Sequence, residues 1–449
     1  MSVRGLLAAV AILIVLSGAF WWSETKNKQD DSAASSKDNP KLVLVKDEDV
    51  ARLDLVKREG GTITLQRQKS GWSLTAPKAV RTDTDAVSGV VSTFTGLTWD
   101  RLVEEKATDV TTFGLTAPEL KATLTAKDGK KITLLVGDAT PTSGGFFAKL
   151  DGDARVFSIT GATKSGIDKG WRELRDKRLI TIDDSKLSRV ELTATGKGAP
   201  VEFGKTGQNE WQVLKPTPVR ADNFQVEELI RKVREAKLEA SGTDETDQRN
   251  AAEFAVAARV AVVSLTDPSG TQTLDIRKKG EDLYAKSSAG EDVAKVTKEF
   301  ADSLAKGLDD FRQKKVFDFG FAEPTKLDIR DNGKAYAFTK SGEKWLSGGK
   351  EVDATSVQSL IDKLRDLQAT KLSETGFGTP VVEIGVTSLE GKRTEKVSAS
   401  KGASAWFAKR ENEATVYEID AAKMDDILRA AGEVKPPPPP SAPAAPAKK

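Results

Sequence analysis

Residues 210–233 read EWQVLKPTPVRADNFQVEELIRKV. Asp222 stands directly before a run in which Val226, Leu229, Ile230 and Val233 fall at +4, +7, +8 and +11 from it. That spacing is one apolar face of a helix, and an aspartate just ahead of it is a helix-cap signal. The stretch occurs three times. GWSLTAPKAVRTDTDAVSGVVSTF (residues 71–94) places Val87, Val90, Val91 and Phe94 at the same intervals after Asp83. KWLSGGKEVDATSVQSLIDKL (residues 344–364) does so with Val357, Leu360, Ile361 and Leu364 after Asp353. Each copy opens on a tryptophan (Trp72, Trp211, Trp345), 11, 11 and 8 residues before its aspartate.

The flanks repeat as well. Ahead of each Trp lie alternating stretches broken by glycine turns, among them RLDLVKREGGTITLQRQKSGW and KLDIRDNGKAYAFTKSGEKW. Period-two alternation with such turns predicts short antiparallel meanders. After each helix come a Phe, a hairpin and a closing strand pair: FFAKLDGDARVFSI, LYAKSSAGEDVAKV and WFAKRENEATVYEI. Expected is an α+β protein of three homologous modules, each an antiparallel β-sheet packed on one main α-helix. The modules are placed at residues 41–183, 184–320 and 321–432. At this length each can hold its own core, which makes an array of domains rather than a solenoid.

The ends differ from this body. From Gly5 to Trp22 the chain carries no charge, and a helix of that length rises ~27 Å against a hydrocarbon core of ~30 Å. Trp21 and Trp22 suit the membrane interface. Ser17-Gly18-Ala19 also suits a cleavage site, but apolar residues run past it, so residues 1–22 are read as a transmembrane anchor. The four residues before the span point to a cytoplasmic N-terminus with the bulk of the chain outside a bacterial inner membrane, in the periplasm. Residues 23–40 read as a flexible tether, and residues 433–449, with PPPPPSAPAAPAKK, as a proline-rich tail.

Composition removes many chemistries. The 449 residues include no His and no Cys, so an imidazole base, a thiolate nucleophile, a disulfide and a cysteine or histidine metal site are all absent. With 69 basic and 67 acidic residues the net charge is +2, without the basic field that nucleic-acid binding requires. Asp83, Asp222 and Asp353 are read as helix caps, Asp222 with Gln225 as a capping box. Trp72, Trp211 and Trp345 are read as core residues of the repeat. That leaves Trp99, Trp171 and Trp406 as candidate contact rings, beside the basic cluster Arg172, Arg175, Lys177 and Arg178. No catalytic residue, cofactor or metal is expected.

FGLTAPELKATLTAKDGKKITLLVGD, GGFFAKLDGDARVFSI and ELRDKRLITI resemble the bacterial family called domain of unknown function 4340. The resemblance is clearest over residues 41–182, with diverged copies to about residue 431. It implies membrane-anchored extracytoplasmic proteins whose genes often sit beside ABC-type transporters of the gliding-motility kind, and it supplies no catalytic residues. The expectation is therefore a non-catalytic accessory or scaffold protein contacting transporter subunits or other envelope proteins. The alternatives are an envelope glycan-binding module and a carboxylate-based cell-wall hydrolase.

Overall fold

A computed structural model of the chain describes residues 41–437, apart from residues 70, 142, 143, 208 and 240. The expected anchor, the tether and most of the tail lie outside the described residues. Among the described residues no helix is long and apolar enough to cross a membrane. The described chain falls into two compact units. One runs to Lys177 and includes Glu239–Thr243; the other comprises Arg178–Leu238 and the chain from Asp244 onward.

The first unit is built on strands β1 (Val50–Lys57), β2 (Gly61–Gln68), β3 (Gly71–Ala76), β4 (Val80–Arg81), β5 (Arg101–Glu104), β6 (Leu120–Ala126), β7 (Lys131–Ala139), β8 (Gly145–Leu150) and β9 (Val156–Thr160). They form one sheet in the order β4-β3-β2-β1-β6-β7-β8-β9-β5. Two antiparallel meanders thus meet at the β1–β6 pairing, where Leu53 lies opposite both Leu65 and Leu124. Alternation puts Leu53, Leu55, Ile63, Leu65, Leu74, Ala122, Leu124 and Phe157 on one buried face. Helix α1 (Thr84–Thr95) joins the meanders and lays Val87, Val90, Val91 and Phe94 on that face. Burying each such side chain contributes about 2 kcal/mol. The short helices α2 (Gly161–Ile167) and α3 (Trp171–Leu174) add Ile167 and Leu174 to the same core.

The second unit holds two further sheets. One comprises β10 (Arg189–Ala194), β11 (Val201–Lys205), β12 (Trp211–Lys215), β13 (Val219–Arg220), β14 (Ala258–Asp267), β15 (Gly270–Lys279), β16 (Asp282–Ser287) and β17 (Val293–Val296). Its main helix is α4 (Asn223–Glu235), which buries Val226, Leu229, Ile230 and Val233. The other comprises β18 (Lys326–Asp331), β19 (Lys334–Ser341), β20 (Lys344–Ser347), β21 (Lys350–Val352), β22 (Lys371–Ser373), β23 (Val382–Ser388), β24 (Arg393–Lys401), β25 (Ala405–Arg410) and β26 (Val416–Asp420). Its order, β21-β20-β19-β18-β23-β24-β25-β26-β22, is that of the first sheet strand for strand.

The expectation of one main helix per sheet needs correction. The second sheet also carries α5 (Asp244–Val256), α6 (Lys298–Leu304) and α7 (Leu308–Phe311). Phe254 of α5 packs with Tyr284 and Val293, apart from the core that Leu283, Ala285 and Ala294 enter. Because neighbouring strand residues point to opposite faces, α5 covers the face away from α4. In the third module α8 (Ala354–Arg365) shares its side of the core with a second long helix, α9 (Ala421–Gly432), through Met424, Ile427 and Ala431.

The connectors also move the module limits. Leu179, Ile180 and Ile182 already belong to the second core, and Val316, Phe317 and Phe319 to the third. The limits expected after residues 183 and 320 therefore fall several residues late. Apolar side chains at the end of each connector enter the core that follows.

Candidate functional site

The three repeated aspartates are helix caps. Asp83 Oδ1 accepts from the backbone N–H groups of Asp85 (3.1 Å) and Ala86 (3.0 Å). Asp222 does the same for Phe224 (3.0 Å) and Gln225 (3.3 Å). Asp353 takes the amides of Thr355 (3.3 Å) and Ser356 (2.9 Å). These bonds satisfy amides that the first helical turn leaves without a partner. The capping box expected at Asp222 and Gln225 is not closed. The Asp222 N–H goes instead to the Phe311 carbonyl at 2.7 Å, and Gln225 Oε1 accepts from Lys306 Nζ at 3.0 Å.

The bond from the Asp222 amide to a connector is itself a repeat. Asp83 N–H donates to the Leu174 carbonyl at 2.9 Å, and Asp353 N–H to the Lys435 carbonyl at 2.9 Å. Each module's last segment therefore closes the start of its own main helix. Leu174 and Phe311 also fill the first and second cores before the chain moves on to the next.

Trp72, Trp211 and Trp345 are buried in the three cores. The Trp211 backbone N–H donates to Asn223 Oδ1 at 2.6 Å, tying β12 to the first residue of α4. The candidate contact rings do not form a surface. Trp406 is 2 % exposed, inside the third core, its indole N–H held by Asp425 Oδ1 at 3.0 Å. Trp99 and Trp171 are half-buried against the first core. Trp99 tilts over Phe157 with centroids 6.2 Å apart, and Trp171 lies under the guanidinium groups of Arg172 (4.3 Å) and Arg175 (5.2 Å). Trp406 offers no face to a sugar, because alternation along β25 turns it into the core.

Nor is the basic cluster one solvated face. Arg175 is 2 % exposed. Lys177 Nζ donates to the Glu173 carbonyl at 3.0 Å and lies 3.8 Å from the Asp83 carboxylate. Arg178 alone of the four is exposed, and its backbone bridges to Lys237.

The densest polar arrangement lies within the second unit, where the second and third modules meet. Arg220, at the end of β13, reaches out of its own module. Its guanidinium pairs with the Asp318 carboxylate, and Nη2 donates to the Lys315 carbonyl (2.7 Å) and to Tyr417 Oη (2.8 Å). Glu413 lies 3.1 Å from Arg220 Nε and accepts from the Tyr417 hydroxyl at 2.9 Å. Arg410 continues the network to Glu413 (2.7 Å) and to Glu395 (2.8 Å), and Arg393 lies 3.3 Å from Glu395. The Asp318 backbone N–H also donates to Glu395, at 2.7 Å.

Three guanidinium groups thus meet three carboxylates. Burial opposes the Arg220 charge, yet Asp318, Tyr417 and Glu413 outweigh it and raise its pKa. Burial pushes the Tyr417 phenol up to about 12, with Glu413 adding to the shift and Arg220 opposing it. In such a site the carboxylates are held by cations on several sides.

A cleft of about 500 Å³ opens beside this cluster, lined by Trp211, Arg220, Asn223, Phe224, Lys315 and Arg365 among others. Phe224 stands at its edge, 71 % exposed. Sequence reading did not single out this junction. Its members come from β13, a connector, β24, β25, the turn after it and β26, and Arg220 stands 95 or more positions from every other member.

The family described as "Domain of unknown function (DUF4340)" matches residues 72–212 and again residues 211–383, more than half of the chain. The two matches begin at Trp72 and Trp211, in the middle of a sheet. No curated protein and no solved structure matches.

Proposed function

The chain belongs to the family described as domain of unknown function (DUF4340), and from that premise we propose that it is a non-catalytic scaffold. In this reading residues 1–22 anchor it in a bacterial inner membrane. The sheet modules stand outside the cytoplasm as an accessory to an ABC-type transport system.

One observation carries the proposal: the repeated aspartates and the large ion cluster are committed to joining segments of the fold. Asp222 fixes a connector to a helix start, and Arg220 fixes the second module to Asp318, Glu413 and Tyr417 of the third. Side chains arranged in this way keep two modules at a constant spacing and orientation, which is the requirement of a scaffold. The absence of His and Cys from the whole sequence agrees with this use.

The test is crosslinking in intact membranes followed by affinity purification of the full chain. Transporter subunits should be recovered with it. Recovery of no envelope protein, or release of fragments from cell-wall glycan by the purified chain, would overturn the reading.

A further inference from the structure

The second sheet lacks a strand that its two siblings have. In the first module β5 runs antiparallel to β9, with Arg101 opposite Ser158 and Leu102 opposite Phe157. In the third, β22 runs antiparallel to β26, with Lys371 opposite Glu418 and Leu372 opposite Tyr417. The corresponding strand of the second module is β17, and it ends its sheet: among the described residues its only strand partner is β16.

Helix caps fix the correspondence. Thr160 and Asp420 end β9 and β26, Thr297 directly follows β17, and each caps the next helix. Counting back, Lys295 stands where Ser158 and Glu418 stand, and Ala294 where Phe157 and Tyr417 stand.

The sequence explains the missing strand. The carbonyls of Leu97, Ala236 and Leu367 each accept the same connector bond, from Leu42, Leu179 and Val316 respectively. Four to six residues later come Arg-Leu-Val (101–103) and Lys-Leu-Ser (371–373), but Ala-Ser-Gly (240–242) in the second repeat. The leucine that pairs with Phe157 or Tyr417 in the siblings is replaced by Ser241, and Gly242 weakens an extended segment further.

Helix α5 packs on one face of β17 through Phe254 and Val293, but the last strand of a sheet still has backbone N–H and C=O groups that a further strand would pair. We propose that the free edge of β17 binds an extended segment of a partner polypeptide, which adds antiparallel as the ninth strand. This goes beyond the scaffold reading and does not depend on a transporter being the partner.

The edge also states what it would accept. The siblings place a basic residue (Arg101, Lys371) opposite Ser158 or Glu418. Here the position opposite is Lys295, which is exposed. Its ammonium lies 2.6 Å from Asp282 of the neighbouring β16, and an acidic residue on the incoming strand gives it a second partner. The next residue faces Ala294, where the siblings have Phe157 and Tyr417, and in both siblings the residue at that place is a leucine. The chemistry specified is an acidic residue followed by a large apolar one in extended backbone.

The probe is a synthetic peptide of residues 98–105, made as the parent and with Arg101→Glu, added to the full chain. Hydrogen exchange should slow across Val293–Val296 when the Arg101→Glu peptide binds. That peptide should bind about fivefold more tightly than the parent, the scale of a cross-strand charge pair. Lys295→Glu in the protein should reverse the order. The first comparison changes only the peptide, so protein folding does not enter it.

Unchanged exchange across Val293–Val296 at saturating peptide, or equal affinity for both peptides, would overturn the proposal. So would protection, before any peptide is added, of those Val293–Val296 amides that do not bond to β16, which would mean that the chain itself covers the edge.

Discussion

Arg220 Nη2 donates to Tyr417 Oη at 2.8 Å, joining residues 197 positions apart and belonging to different sheets. The same guanidinium holds Asp318 and lies beside Glu413. Replacing one member of a buried, balanced cluster costs more than the cluster itself contributes, because the remaining charges lose their partner. Arg220→Gln should therefore destabilise the second unit by about 3–5 kcal/mol. Adding Asp318→Asn should restore part of that loss, in a double-mutant cycle followed by urea unfolding.

Tyr417 gives the cluster a pH signature. Burial, then Glu413, carries its pKa up to about 12 against the opposing Arg220 charge, whereas an unfolded tyrosine titrates near 10. A raised folded pKa contributes stability that is complete below the unfolded value and is lost as pH climbs through the folded one. Stability should fall between about pH 10 and 12. The chain has three tyrosines, so phenolate absorbance can resolve them. Tyr417→Phe should remove the step near 12 and flatten the loss of stability across that window.

The caps predict a smaller and more local effect. Asp222→Ala should cost ~1 kcal/mol and Asp222→Asn much less, since an amide oxygen can still accept the Phe224 and Gln225 bonds. At Asp353 the hydrogen bond from Ser356 leads the causes that lower the carboxyl pKa. A lowered folded pKa contributes stability above the unfolded value that is lost as pH falls through the folded one. Asp353→Asn should accordingly weaken the acid dependence of unfolding, measured by circular dichroism.

Connector residues should behave as core residues of two modules in turn. Phe311 is fully buried in the second core, its ring edge-on to Phe203 with centroids 4.9 Å apart. Phe311→Ala should cost about 3–5 kcal/mol. Calorimetry should show the joint transition of the second and third modules lowered, although residue 311 sits at the very end of the second. Trp406→Ala should be as damaging to the third module, and the Trp406 fluorescence should resist quenching by acrylamide, as a buried ring requires.

The helix register, the caps and the alternating strands were legible because they depend on residues close in the chain. Val226, Leu229, Ile230 and Val233 announce their shared face through spacing alone. The Arg220 cluster was not legible, because nothing local distinguishes Arg220 from Arg81 at the same phase of the first repeat. Its meaning comes from Asp318 and Tyr417, which only the packing of two sheets brings to it. Trp406 misled for a related reason. As an isolated aromatic it suggested a surface ring, but alternation along β25 turns it inward with Ala408. The absent ninth strand could be read only by aligning Ser241 with Leu102 and Leu372, an equivalence set by connector hydrogen bonds.

Arg220 ties the second and third modules into one body. Differential scanning calorimetry of the full chain tests it most directly. The two modules should melt in a single transition that Arg220→Gln divides into two. Separate melting of the two modules in the unaltered chain, left in place by Arg220→Gln, would contradict it.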